Sequence, residues 1–394
     1  MFDYIVVGKG LIGSAAGRYL SATGEKVALI GPDEPADRQT HRGVFASHYD
    51  QGRITRILDE DLTWARLAQR SIDQYRFIER ESGIQFYHPV GGLQVGPTPG
   101  TSDDFIAKTE AVGHRVRADF KTYTGDALPR AVPHYRFPAG TTGLLETGGA
   151  GYINPRSLVK AQLKIASRQG AAIIKDTVAT VEKKGELVEV RTIAGQTYQA
   201  PKVLIAAGAY TNQLLGHKLD LTVRALTILM AEVSEAEVAR LAGMPTLIYD
   251  LPVYDLIPSI YMAPPIKYPD GKYYLKIGGN LRPYTNLHTF EEMLDWFHTQ
   301  GNPMEGKALK AILQAIVPGL KALSFQTKPC VTTYTPGDHP FIGAIDDGFI
   351  YVAAGGCGSA AKSSNEIGHI AARLVEKSTW TYDIDAETFK VSYV

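Results

Sequence analysis

The sequence predicts an α/β chain in which a Rossmann-like unit, assembled from three stretches of the sequence, is interleaved with an α+β unit built on a mostly antiparallel sheet. Three observations carry this. A short β-branched run at 4–7 leads into a glycine-rich turn, a helix-compatible stretch at 11–22 and a second strand at 26–30, which is a βαβ opening. Apolar strands that run into glycine turns come back at 203–207 and 349–354, the latter followed by a helical stretch at 360–377. Between 221 and 280 the pattern changes to short apolar pieces separated by Leu251-Pro252, Ala263-Pro264-Pro265 and Pro269-Asp270-Gly271, the punctuation of antiparallel strands.

At 394 residues the chain exceeds what one hydrophobic core usually serves. Two domains are expected, one from 1–85, 145–218 and 325–394, the other from 86–144 and 219–324. Residues 62–81 contain neither Gly nor Pro and space Leu62, Ala65, Ala68, Ile72, Tyr75 and Ile78 three or four apart, as one helical face requires. Residues 158–167 read as helix, and 171–174 and 178–181 as strands.

Composition narrows the partners. Lys plus Arg and Asp plus Glu both total 41, so no global field would hold nucleic acid or an anionic membrane, and the expected ligand is a small molecule. No apolar run approaches the roughly 18 residues of a membrane span, and the first strand follows Met1 at once. A cytoplasmic protein is expected, a monomer or small homo-oligomer. Cys330 and Cys357 are the only cysteines, too few for a disulfide framework or a cysteine-built metal site, and no metal is expected.

Gly8-Lys9-Gly10-Leu11-Ile12-Gly13 falls between the first strand and helix, where backbone N–H groups and the helix N-terminus face a dinucleotide pyrophosphate. Gly8 makes the tight turn, Gly10 admits the phosphate, and Gly13 lets helix and strand pack closely. The acid that ordinarily ends the second strand and takes a ribose hydroxyl is absent, because that position is Gly31. Asp33 or Glu34 is the candidate substitute, with ordinary solvated turn acids as the alternative.

Further segments carry a family resemblance. They are Ser47-His48-Tyr49-Asp50-Gln51-Gly52-Arg53-Ile54-Thr55-Arg56, Val203-Leu204-Ile205-Ala206-Ala207-Gly208-Ala209-Tyr210, Tyr274-Leu275-Lys276-Ile277-Gly278, the Cys330-Val331-Thr332-Thr333-Tyr334-Thr335-Pro336 stretch, and Gly355-Gly356-Cys357-Gly358-Ser359-Ala360-Ala361-Lys362. Together with the opening they resemble the glycine oxidase and D-amino-acid oxidase superfamily, most closely its monomeric sarcosine oxidase and N-methyl-amino-acid oxidase branch. The resemblance implies a Rossmann-like FAD-binding domain of the GR2 type and an antiparallel substrate domain.

It also implies roles. His48 and Arg53 lie beside the flavin, Arg56 and Lys362 bind a substrate carboxylate, and Lys276 activates oxygen. Val178 faces the adenine, Ala207 and Gly208 lie near the cofactor, and Gly355, Gly356, Gly358 and Ser359 bring backbone N–H groups to the flavin. Cys330 matches the cysteine whose sulfur is joined to the flavin in the covalent branch, against the alternative of a small buried apolar residue. Cys357 has no such motif and reads as packing.

Physical chemistry agrees with two of these roles. A guanidinium fork fits a carboxylate with two parallel charge-assisted hydrogen bonds. A lysine fixed near reduced flavin puts positive charge where negative charge develops on oxygen. The alternatives are surface arginines beside Asp50, Asp59 and Glu60, a solvated strand lysine at Lys276, and an exposed first-turn lysine at Lys362.

Departures from the branch fall at expected substrate-contact positions, with Tyr261 followed by Met262 rather than a second tyrosine, and with Asn280 and Tyr49 where the branch has histidines. They leave the identity of the amine open. The resulting expectation is a flavoprotein oxidase that converts the C–N bond of a small carboxylate-bearing amine or amino acid to an imine, with O2 reduced to H2O2. Rival readings are an FAD-dependent dehydrogenase, an oxidase deaminating primary amino acids, an NAD-dependent dehydrogenase, and a dinucleotide-binding protein without redox turnover.

Overall fold

The computed structural model describes all residues except 102 and 252–255, so Pro252, read above as a strand boundary, lies outside the described residues. Ile5, Val6 and Val7 are buried on both faces of the strand Tyr4–Val7, which pairs in parallel with Val27–Ile30 on one side and Lys202–Ile205 on the other. Apolar side chains on both faces suit the centre of a parallel sheet covered by helices. The complete six-stranded order is Phe341–Asp346, Ile350–Ala354, Lys202–Ile205, Tyr4–Val7, Val27–Ile30 and Ala172–Ile174, parallel except for the hairpin of the first two.

Helix Leu11–Ser21 joins the first two strands and packs with Pro155–Arg168 and Ala360–Lys377. Arg18 is buried among the three helices. Its guanidinium donates to Gln162 and, at 3.0 Å, to Asn365 Oδ1. Helix Leu62–Ser82 begins where Asp61 accepts the Trp64 N–H at 2.8 Å and ends on Gly83 at φ 67°. Ala65, Ala68, Tyr75 and Ile78 of its apolar stripe are buried, while Leu62 and Ile72 lie half-buried at the margin.

The second sheet has nine strands. Its path is Thr285–Leu287, Thr222–Val233, Tyr273–Gly279, Ser259–Lys267, Thr246–Asp250, Gly92–Pro97, Thr141–Glu146 and Phe120–Thr124, with Ala322–Tyr334 paired along Thr222–Val233. Its neighbours are antiparallel apart from the parallel pair Gly92–Pro97 and Thr246–Asp250. The strand that carries Cys330 thus belongs to this sheet and crosses the boundary expected at 325. Two smaller antiparallel sheets complete the fold, one from Val178–Lys184, Leu187–Thr192 and Thr197–Ala200, the other from Arg53–Thr55, Gly151–Ile153 and Tyr87–His88. Among the described residues no helix is long and apolar enough to cross a membrane.

Two expectations are corrected here. Pro264 and Pro265 do not separate strands; they lie inside Ser259–Lys267, where the register slips between Ala263 and Ile266. A bulge is where a residue without an N–H costs the ladder least. Met262 does not face the substrate side. Strand alternation sends it to the opposite face from Tyr261, into a fully buried cluster with Leu247, Leu275, Leu309 and Leu313 beneath helix Pro303–Ile316.

Candidate active site

The fold leaves a cavity of about 670 Å³ along the C-terminal ends of the parallel strands and under the large sheet, within the size range of small-molecule sites. Its wall includes Gly8, Gly10, Leu11, Ile12, His48, Arg53, Arg56, Val178, Ala207, Gly208, Tyr261, Lys276, Asn280, Cys330, Gly355, Gly356, Gly358, Ser359 and Lys362. Segments hundreds of residues apart therefore meet around one space. Gly13, Asp33, Tyr49 and Met262 are outside this wall.

The glycine turn is a cradle that side chains would fill. Gly8 has φ +99°, and a Cβ there would lie 2.3 Å from the Ala206 carbonyl oxygen. A Cβ on Gly13 would lie 1.8 Å from the Gly8 oxygen, so this glycine permits the helix to start against the strand. Gly10 is the N-cap of helix Leu11–Ser21 and offers no capping side chain, which leaves the first-turn N–H groups free for an anion.

At the other end of the βαβ unit, Lys9 replaces the missing acid in space. Its Cγ lies 2.9 Å from where a Gly31 Cβ would stand, and its ammonium pairs with Asp33, which also meets Lys175 at 2.9 Å. Both lysines hold the Asp33 carboxyl below its ordinary range against the opposing effect of burial. Glu34, the other ribose candidate, is taken by Arg156 through bonds of 2.6 and 2.5 Å.

His48 borders the cavity as a neutral imidazole, because burial pushes its pKa down to about 4. The Tyr49 ring meets it edge-on at 4.7 Å and is itself buried behind the wall. Lys276 is 2% exposed and donates from Nζ to Asp50 Oδ2 at 2.7 Å and to the Gly52 carbonyl. Asp50 also accepts from Tyr268 at 2.7 Å and pairs with Arg53. Burial and the Arg53 charge push Lys276 well below its ordinary range, while the Asp50 carboxylate faces it at 2.7 Å.

The second pair of cations has the same construction. Asp59 Oδ2 accepts from Lys362 Nζ at 2.7 Å and from Arg56 Nη2 at 3.1 Å. Lys362 is 1% exposed, and burial pulls its pKa down to about 8 while Asp59 supports the charge. The alternatives of surface arginines and a water-exposed lysine therefore fail for these side chains. Glu146 lies behind this pair, buried, its oxygens accepting the N–H groups of Ile57 and Leu58 at 2.9–3.1 Å. Sequence reasoning met Asp50 and Asp59 only as neighbours of the arginines and did not reach Glu146 or the Lys9 contact. The three-residue spacing of Asp50 from Arg53 and of Arg56 from Asp59 was a usable signal; Glu146 had none.

Burial raises the Glu146 carboxyl to about 7, which ties stability to pH. A carboxyl that holds its proton more tightly in the folded state stabilises the fold below its unfolded pKa, and that contribution is lost as pH rises through about 7. Thermal unfolding followed between about pH 5 and 8 should lose of order 3 kcal/mol from this group, and Glu146→Gln should flatten that part of the profile. An identical slope in the variant would remove Glu146 as its source.

A glycine cradle at the first βαβ turn, joined in one cavity to Lys276 of the large sheet, to Lys362 of helix Ala360–Lys377 and to Arg56, defines a dinucleotide-dependent oxidoreductase. Residues 3–374 match the family model DAO, FAD dependent oxidoreductase, and the chain belongs to this family. It is 24% identical over 397 residues to the monomeric sarcosine oxidase of Bacillus sp. (strain NS-129), covering 97% of this chain and 95% of that one. It is 26% identical over 392 residues to human peroxisomal sarcosine oxidase, covering 98% and 94%. In fold it is similar to NikD, an unusual amino acid oxidase essential for nikkomycin biosynthesis, with a TM-score of 0.78 at 20% identity over 100% of this chain and 98% of that one. FAD is the family's cofactor, and the open face at Gly10 and the uncapped helix N-terminus fit its pyrophosphate.

Proposed function

We propose that this chain oxidises the C–N bond of a small secondary or N-alkyl amine bearing a carboxylate, giving an imine and, with O2 as electron acceptor, H2O2. The observation that carries the reading is that Arg56 and Lys362, both backed by Asp59, open into the same cavity as the glycine turn and Lys276. The names of the sarcosine oxidase relatives support the substrate class. FAD, which the glycine turn at Gly8, Gly10 and Gly13 and the N-terminus of helix Leu11–Ser21 would hold, would supply the hydride-accepting chemistry. The chain's own residues supply position. Arg56 and Lys362 fix the carboxylate and Tyr261 and Asn280 border the amine, so that orientation provides most of the catalysis. Lys276 supplies fixed positive charge for oxygen reduction.

The test is anaerobic mixing of the holoenzyme with N-methylglycine and other N-alkyl amino acids, followed by air. Loss of the oxidised flavin spectrum, then its return with one peroxide per turnover, is expected. No bleaching by any amine would end the reading. One observation favours a dehydrogenase as second reading, since Asp50 offsets the Lys276 charge; bleaching followed by negligible peroxide would select it.

We further infer that Cys330 anchors the flavin. It is a free cysteine whose residue borders the cavity, on a strand held in register against Leu226. Acid precipitation should leave the yellow colour in the pellet, and Cys330→Ser should release it to the supernatant. Colour in the supernatant for the unmodified protein excludes the link. The division into an FAD-binding domain (1–85, 145–218 and 325–394) and a substrate domain (86–144 and 219–324) is also proposed, supported by the six-stranded sheet falling wholly within the first set.

A further inference from the structure

The two cations that face the substrate end of the cavity share an anion that belongs to the protein. Asp59 is not part of the cavity wall, whereas Arg56 and Lys362 are. The acid stands behind them, its side chain 8% exposed, with Oδ2 accepting from both cations and Oδ1 accepting the Asp61 N–H at 3.1 Å. Among the described residues the buried Nε of Arg56 has no partner. Two positive groups and one negative group thus leave a single unit of positive charge toward the cavity, together with an unused donor.

We propose that Asp59 is a built-in counter-ion that sets the net charge of this clamp to one, so that the site selects amines carrying one carboxylate over amines carrying two. The proposal rests on the carboxylate-binding reading given above. A monocarboxylate brings the enclosed charge to zero. A dicarboxylate drives it negative in a space where burial weakens screening, and the second anion is left uncompensated. Without Asp59 the same two cations would welcome both carboxylates. Glu146, the other acid behind the clamp, is pushed up to about 7 by burial and adds negative charge progressively as pH rises through that range. Asp59 is therefore a specificity-determining residue that acts through Arg56 and Lys362.

The test is calorimetric binding of acetate and malonate to the holoenzyme at about pH 6.5, where malonate is largely dianionic and Lys362 keeps its proton. It uses Asp59→Asn, Lys362→Met, the double variant and Arg56→Met, and reads affinity without turnover. The native protein should bind acetate more tightly than malonate. Asp59→Asn should tighten malonate by at least about tenfold and abolish that preference, the effect of one charge near contact distance. Lys362→Met should weaken acetate, and adding Asp59→Asn to it should restore acetate affinity to within about threefold of native, because the charge returns to one.

A merely orienting Asp59 predicts the reverse, with Asp59→Asn weakening both ligands and the double variant no better than Lys362→Met; either result overturns the proposal. The double variant removes both buried charges of the pair, so it keeps the test open if Asp59→Asn alone does not fold. Arg56→Met separates the two levels of inference. Unchanged binding of both anions would overturn the clamp itself and the proposal with it, whereas loss of both with no response to Asp59→Asn would overturn the counter-ion alone.

Discussion

Lys276→Met should slow reoxidation of the reduced flavin by oxygen by roughly 10²–10³-fold while leaving its anaerobic reduction by the amine within a few-fold of native. The separation follows from where the charge sits. Lys276 borders the cavity from the large sheet, 2% exposed, with the Asp50 carboxylate at 2.7 Å from its Nζ. In the proposed reaction the amine's hydride would leave a carbon held from the other end, by Arg56 and Lys362. Electron transfer to oxygen instead places negative charge on a small molecule, and a fixed cation in a water-poor space is worth most there. Methionine preserves the length and apolar stem of the side chain while removing the charge. Stopped-flow mixing of the dithionite-reduced holoenzyme with oxygen reads this step without any amine. An unchanged second-order constant would take Lys276 out of it.

The parts of the fold that were legible in the sequence are those written in local patterns. The opening βαβ unit, the helix Leu62–Ser82 and the helix Ala360–Lys377 each carry periodicity together with a glycine turn or a cap. The helices Phe290–His298 and Pro303–Ile316 were not anticipated, although both announce themselves. Thr289 and Glu292 form a capping box, and Asn302 caps a helix whose first residue is Pro303. Met262 is expected on the substrate side because it stands where the resembled branch has a second tyrosine, and the two-residue alternation of the strand sends it to the opposite face. In the site, residue types at motif spacing located the cations. Their counter-ions were a different matter, since Asp59 and Lys362 lie 303 residues apart and no sequence pattern states which buried charge another will share.

The same asymmetry shapes the chemistry. In the proposed reading cations stand near a flavin and a carboxylate, yet Lys276 and Lys362 are buried, and a buried unpaired cation costs the fold several kcal/mol or loses its proton. Asp50 and Asp59 answer this by pairing with Lys276 and Lys362 at 2.7 Å each, and Asp59 supports the Lys362 charge. Their own exposure is only 6% each, so the ion pairs are little screened by salt.

Arg56→Met should raise KM for a carboxylate-bearing amine by roughly 10²-fold or more, the effect of removing one partner from a buried charge-assisted contact worth about 2–5 kcal/mol. The variant leaves the Lys362–Asp59 pair behind, and that pair is neutral. What remains can donate one hydrogen bond from the ammonium but presents no net attraction to an anion, so the loss exceeds that of a single bond. If the carboxylate also aligns the reacting carbon, kcat falls together with the rise in KM, because misplacement by about 1 Å is costly to hydride transfer. A simple alkyl amine of similar size provides the control, since it makes no contact with the clamp and should respond to the substitution by less than about threefold. Steady-state kinetics on the two substrates decide the matter. Equal effects on both would mean that Arg56 supports the cavity's shape, and no effect on either would mean that the substrate's anion lies elsewhere.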